Sequence, residues 1–415
     1  MNEGWRWRRK LLPVHQELRA RPFVRLLTWW ITGVVCQHVL PWGWGGLVVL
    51  AILGVLLLAV NPAAGEKKMY AYRWHWAAIC GAVTVLLAMA VAEMAERRSL
   101  YSPVRERAAV MAMAAACQQK MVEKIDRLRL TDGEKSVLAA LTTGYQKALP
   151  KEVRKRFAVS GVAHILSVSG FHVAIAYSFV SMLLGLFFPR RYPLRILRWM
   201  LTVGAVWTFV AVSGMAAASI RAGCMLTLYL TGKYLVRRRT DSYNTLAATA
   251  FCMLVCHPAY LFDIGFQLSF TAVFFILYLQ PPLKALIDVR NPLLATPWGW
   301  VTLSIAAQAG TAFLCAYYFG YFSLTFLFTN VPVILYASLL IPAALIWLLL
   351  PVGDGVLQRV VEELTHYLVY TADLFGSLSV AAYPFRFTLG GVIVAYAVMG
   401  GVLLALAIRK RRMQR

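Results

Sequence analysis

Long apolar stretches recur along this chain from Leu26 to Ile408, separated by short connections rich in Lys and Arg. Wound as a helix, such a stretch matches the hydrocarbon layer of a bilayer, which is about 30 Å thick. Inside that layer the backbone must satisfy its own polar groups as helix or closed barrel, and the apolar spacing here is helical. Composition agrees: at 60% hydrophobic and 14% charged residues, with a mean hydropathy of +0.64, a chain of 415 residues has difficulty hiding its apolar side chains from water. The expected fold class is an all-α polytopic integral membrane protein with about ten to twelve transmembrane segments, amphipathic surface helices and broken intramembrane helices.

The formal net charge of +24 would suggest nucleic acid in a soluble protein. Here the 42 Lys and Arg residues lie mostly in short loops and termini, where the positive-inside bias places them, so charge alone says little about DNA. Met1–Arg25 reads as a cytosolic tail that retains the first span, with no convincing cleavable signal. The seven cysteines lie largely in apolar stretches without disulfide-like spacing and read as buried small hydrophobes.

The expected organisation is a basic cytosolic tail with N-terminal membrane helices (1–92), an extracytoplasmic amphipathic helical segment (93–160), a membrane core (161–350), an amphipathic connector (351–388), and a final membrane helix with a basic cytosolic tail (389–415). Candidate spans begin with Leu26–Leu40, Leu47–Val60 and Ala77–Ala92. Glu93–Arg156 holds two amphipathic helices broken near Leu130–Gly133, suited to a membrane surface or to packing on the rest of the chain. Ile165–Phe188, Trp199–Met215, Ser219–Leu235, Asn244–Cys256, Leu261–Leu279 and Val301–Phe319 continue the alternation. Leu324–Leu350 contains Pro332 and Pro342 and reads as one broken helix or two short ones; with both termini inside, parity favours two. Leu389–Ile408 ends in RKRRMQR.

Polar residues enter these apolar stretches in clusters. Gly161-Val-Ala-His164-Ile-Leu-Ser167-Val-Ser169-Gly170-Phe-His172 brings glycines, hydroxyls and two imidazoles together. A glycine there permits an unwound turn, and the half-helix that follows would aim free N–H groups at an anion such as phosphate. Close helix packing by Gly161 and Gly170 is the competing reading. Arg221, within SGMAAASIRAG, must snorkel, pair or face water, and Asp263 is a candidate partner. Asn244, Gln267, Ser269, Gln308 and Asn330 add polar groups to later spans, either bridging helices or lining a passage.

The motif AHILSVSGFHVAI at Ala163–Ile175 resembles the signature of the ComEC/Rec2 competence proteins, with His164, Ser169, Gly170 and His172 at the characteristic positions. SIRAG around Arg221, YNTLA around Asn244, LFDIGFQLSF with Asp263, Gln267 and Ser269, AAQAGT around Gln308, and Thr329–Asn330 are similar in order, over roughly Thr142–Leu350. The resemblance implies a channel or permease importing single-stranded DNA across the bacterial cytoplasmic membrane during natural transformation. His164, Ser167, Ser169, Gly170, His172, Arg221, Asn244, Asp263, Gln267, Ser269, Gln308 and Asn330 are the candidate path residues.

Members of that family commonly add an external oligonucleotide-binding-like domain and a metallo-β-lactamase-like domain; neither is expected here, which makes this chain resemble the core permease module. The implied partners are single-stranded DNA, the lipid bilayer, a separate DNA receptor and nuclease, a cytosolic helicase or DNA-binding protein, and other copies of the chain. No phosphate-binding G-x-x-x-x-G-K-[ST] loop and no zinc-ligand pattern occur, so neither enzyme activity nor a cofactor is expected. An anionic-solute or proton-coupled carrier and a non-conducting scaffold for competence proteins are the alternatives.

Overall fold

The apolar runs wind into helices and the short connections between them end those helices. In the computed structural model, residues 21–40, 54, 73–101, 108–187, 194–236, 241–289, 291–349, 355–378 and 382–413 are described. The expected span at Leu47–Val60, most of the N-terminal tail and the PRRYPLR turn lie wholly or partly outside them.

In chain order the helices are α1 (Pro22–Val39), α2 (Arg73–Tyr101), α3 (Ala108–Ile125), α4 (Asp132–Thr143), α5 (Lys151–Val159), α6 (Gly170–Phe187), α7 (Leu194–Val212), α8 (Ala217–Thr231) and α9 (Ser242–Cys256). They continue with α10 (Ile264–Lys284), α11 (Pro292–Phe319), α12 (Phe326–Leu349), α13 (Val356–Gly376) and α14 (Leu389–Met413). The one β element among the described residues is a short antiparallel ribbon, β1 (Tyr321–Ser323) with β2 (Ala382–Pro384). Among the described residues, five helical segments are long and apolar enough to cross a membrane: Ile79–Arg97, Arg195–Val212, Ile264–Lys284, Leu294–Phe319 and Phe326–Leu349. Gly170–Leu186, Ser242–Cys256 and Leu389–Leu403 are shorter apolar helices. The chain is thus essentially all-α, with several helices consistent with membrane spans.

The chain forms two compact units, one of residues 1–103, 241–263 and 393–415, the other of 104–240 and 264–392. In the first, α1 packs on α2 and α9. Asp241 caps α9 by accepting from the Asn244 N–H at 3.0 Å and pairs with Arg21 at 3.1 Å. Trp30, buried, meets the edge of Phe251 with ring centroids 5.2 Å apart. Gln37, also buried, donates to Glu93 at 2.8 Å, and Glu93 in turn accepts from Arg97 at 2.8 Å.

In the second unit, the amphipathic segments fold onto an apolar helix. α13 presents Val361, Thr365, Leu368 and Ala372, a stripe at helical spacing, and α12 presents Val333, Ala337, Leu340, Ile341 and Ala344. Val122, Leu138, Leu141 and Phe157 from α3, α4 and α5 complete the same core. Residues 108–160 therefore contribute three helices: α4 packs on α12 and α13, α5 on α13, and α3 on α4 and α7. Polar ties reinforce the packing: Arg156 with Asp373 at 3.2 Å, and the Arg129 N–H donating to Glu362 at 2.9 Å.

Two expectations are corrected here. Leu324–Leu350 is not two short segments: α12 runs unbroken through Pro332 and Pro342. Each proline removes one helical hydrogen bond, a loss of about 3 kcal/mol in an ordinary helix interior, but side chains flanking both prolines are fully buried and hold the axis. The cysteines are not buried either. Cys80, Cys117, Cys252 and Cys256 are exposed and Cys36, Cys224 and Cys315 half-buried, all as free thiols. A small, weakly polar thiol on an apolar helix surface needs no protein cover where that surface meets lipid.

The start of α4 is a capping box. The Thr131 hydroxyl accepts from the Glu134 N–H at 3.4 Å, while the Glu134 carboxylate accepts from the Thr131 N–H at 2.9 Å and from its hydroxyl at 2.8 Å. Thr131→Ala is expected to lower stability by about 1 kcal/mol, read as an earlier midpoint in chemical unfolding of the detergent-solubilised protein.

The second Glu134 oxygen meets His366 Nδ1 of α13 at 2.7 Å. Burial alone would raise the Glu134 pKa, but the hydrogen bonds from Thr131 and the neighbouring His366 outweigh it and hold the carboxyl below its ordinary range. A depressed carboxyl stabilises the fold above its unfolded pKa, and that contribution disappears as pH falls through the folded value. The loss therefore lies below about pH 4.5. Glu134→Gln should flatten this acid limb of the unfolding midpoint against pH.

Candidate functional site

Between α5 and α6 the chain is not an α-helix. Ser160 ends α5, Gly161 turns the backbone with φ 84°, Ala163–Ile165 makes a single 3-10 turn, and α6 begins only at Gly170. Irregular backbone beside apolar helices survives only when its polar groups find partners. Two carbonyls are served by distant side chains: Gln146 Nε2 donates to Leu166 at 3.0 Å, and the buried Ser219 hydroxyl donates to Val168 at 2.9 Å.

The first turn of α6 is capped by a histidine. The Ser169 N–H donates to Nδ1 of His172 at 3.2 Å, and the Ser169 hydroxyl lies 3.1 Å from the same nitrogen. An Nδ1 that accepts an N–H leaves the ring proton on Nε2. That nitrogen is buried without a hydrogen-bond partner among the described residues, and His172 is fully buried.

Ser219 belongs to the first turn of α8, which starts at Ala217 after a left-handed turn at Gly214 (φ 80°) and Met215 (φ 54°). The same helix approaches Gly170: a methyl group there would lie 3.6 Å from the Ala222 Cβ. The N-termini of α6 and α8 therefore meet, with the buried Arg221 one turn into α8. A helix N-terminus carries roughly half a positive charge, so the meeting of two such ends is electropositive.

The structure brings together Ser169, Gly170, His172 and the Arg221 segment. Of the other candidates, His164 and Ser167 lie on the same unwound segment and the rest on other elements. His164 is exposed on the 3-10 turn, and the Ser167 hydroxyl donates to its carbonyl at 3.4 Å. Asn244 caps and ties, its Oδ1 accepting from the Phe23 N–H at 3.1 Å. Asp263 is exposed at the residue that precedes α10. Gln267 bridges helices: its Oε1 accepts from the Tyr318 hydroxyl of α11 at 2.7 Å. Ser269 and Gln308 are half-buried on α10 and α11, and Asn330 is buried on α12 with its Oδ1 unpartnered among the described residues.

Reading the sequence missed Ser219 and Gln146, although Ser219 stands two residues before Arg221 in SIRAG. Its role depends on a partner carbonyl 51 positions away.

The family model described as "Competence protein" matches residues 141–411, well over half of the chain. "ComE operon protein 3" of Bacillus subtilis (strain 168) is 30% identical over 219 residues, covering 52% of this chain and 26% of that protein. An "Uncharacterized protein" of Aquifex aeolicus (strain VF5) is 33% identical over 140 residues, 34% of this chain and 32% of that one. The matched region thus spans about a quarter to a third of the length of these curated relatives. No solved structure matches. The ordered motifs around Ser169, Arg221 and Gln267 fall within the matched range, and the chain belongs to the competence protein family, of the ComEC/Rec2 kind.

Proposed function

We propose that this chain is a multi-pass protein of the bacterial cytoplasmic membrane, with both termini cytosolic, that lines a route for single-stranded DNA during natural transformation. The observation that carries the reading is the junction at which the α6 and α8 N-termini meet beside buried Arg221. Backbone N–H groups and a guanidinium recognise phosphate without reading bases, which suits passage of any sequence. A strand presents the same charge at every nucleotide, so a site that holds one phosphate must release it as the next arrives. Movement then needs a driving partner, such as a cytosolic helicase or DNA-binding protein. A carrier of small anions would use the same junction.

The test is import of labelled single-stranded DNA into the cytosol of a deletion strain complemented with wild type, Gly170→Leu or Arg221→Ala at matched membrane abundance. Loss of import in both variants is expected. Normal import in both removes the junction from the route. Transport of a small anion without any DNA dependence would favour the carrier.

A further inference from the structure

Arg198 lies near the start of α7 and lines the groove that α7 forms with α6. The residue is 7% exposed; its Nη2 donates to the Ser181 carbonyl at 3.1 Å and reaches the Ser181 hydroxyl at 3.5 Å, while its Nε is buried without a partner among the described residues. The groove is an open cleft of about 580 Å³ lined by Tyr177, Ser178, Ser181, Met182, Gly185 and Arg198. Neither α6 nor α7 contains an Asp or Glu. A buried guanidinium whose hydrogen bonding is incomplete is expensive, and an anion seated in the cleft relieves it.

The surroundings identify which anion. Met182, Leu183 and Leu186 on α6 and Ile196, Leu197, Met200 and Leu201 on α7 are all exposed, an apolar exterior on either side of a polar cleft. Arg198 also falls within the first turn of the apolar segment Arg195–Val212, one end of a helix long enough to span a bilayer. Phosphate groups of lipids sit at that depth, and basic clefts between spanning helices are where anionic headgroups bind.

We propose that the α6–α7 cleft seats the phosphate of an anionic phospholipid. Arg198 supplies the charge, Tyr177 and Ser181 supply hydroxyls, and the acyl chains lie along the exposed apolar faces of the two helices. The assignment depends on the membrane placement proposed above and is independent of DNA passage.

The full chain, purified in detergent, is titrated with short-chain phosphatidylglycerol, short-chain phosphatidylcholine, inorganic phosphate or an oligothymidylate while its thermal midpoint is followed. Phosphatidylglycerol should raise the midpoint at concentrations where phosphatidylcholine and phosphate do not. Arg198→Gln should weaken this response about tenfold or more, the scale of one hydrogen bond to a charged group. Gly185→Leu fills the cleft without removing the charge and should abolish the response even if Arg198→Gln fails to fold. Equal responses in wild type and Gly185→Leu overturn the site. An equal effect of inorganic phosphate overturns the lipid assignment in favour of a free anion, and displacement of the lipid by oligothymidylate overturns it in favour of nucleic acid. Loss of the lipid response with DNA import still dependent on Arg221 separates this proposal from the DNA route.

Discussion

Arg221→Ala should lower import of labelled single-stranded DNA at least about tenfold at unchanged membrane abundance, because hydrogen bonds to a charged group contribute about 1.5–3 kcal/mol each. The side chain is buried in the first turns of α8, the helix whose Ser219 holds the unwound Val168 carbonyl. Removing it leaves two adjacent helix N-termini with a weaker claim on phosphate. Arg221→Lys keeps the charge but loses the planar fork of donors, so it should retain more import than alanine and less than wild type. The dependence should also weaken at high salt, as expected of phosphate attraction. If Arg221→Ala instead depletes the protein from the membrane while import per molecule stays normal, Arg221 is a packing residue and the proposed route fails there.

The second large effect separates the two glycines that flank the unwound segment. Gly161 has φ 84°, and a methyl group there would lie 2.7 Å from the Phe326 Cβ and 2.8 Å from the Ser323 hydroxyl. A left-handed alanine costs about 1–2 kcal/mol, and the overlap with the start of α12 costs about 1–3 kcal/mol more. Gly161→Ala should therefore destabilise by about 3 kcal/mol, more than a hundredfold in the unfolding equilibrium. Gly170 has no such crowding: its added methyl would meet only the Ala222 Cβ, at 3.6 Å. Gly170→Ala should leave stability within about 0.5 kcal/mol, whereas Gly170→Leu reaches into the α6–α8 junction. Chemical unfolding of the three variants reads the difference, and equal stability of Gly161→Ala and wild type would show that the turn relaxes.

The unwound segment between the two glycines was partly legible from residues alone. A glycine and a hydroxyl inside an apolar stretch announce a helix start, because glycine weakens helix and serine offers a cap. The α6 N-terminus at Gly170 follows that chemistry. The same local reasoning misled at α12, where two prolines suggested two segments. Proline propensity is a property of neighbouring residues, but Val333, Ala337, Leu340 and Ile341 are buried against α13 and the amphipathic segment, and that burial keeps the helix whole.

Several polar candidates could not be sorted in advance for a related reason. Gln267 can line a passage or bridge helices, and the bridging contact depends on the position of Tyr318 on α11. The Asn244 oxygen accepts from the Phe23 N–H, 221 positions away, a contact its neighbouring residues do not announce. Glu134 and His366 are 232 positions apart, and nothing in either neighbourhood predicts that the two amphipathic segments pack together.

By itself the sequence determined the apolar helices consistent with membrane spans and the place where one apolar run is interrupted, since hydropathy and backbone hydrogen bonding act over a few neighbouring residues. The tertiary structure alone decided that Ser219 serves Val168, that the α6 and α8 N-termini meet beside Arg221, and that Arg198 faces a cleft. Those are contacts between residues far apart in the chain, and the pairing of such residues follows from how whole helices pack.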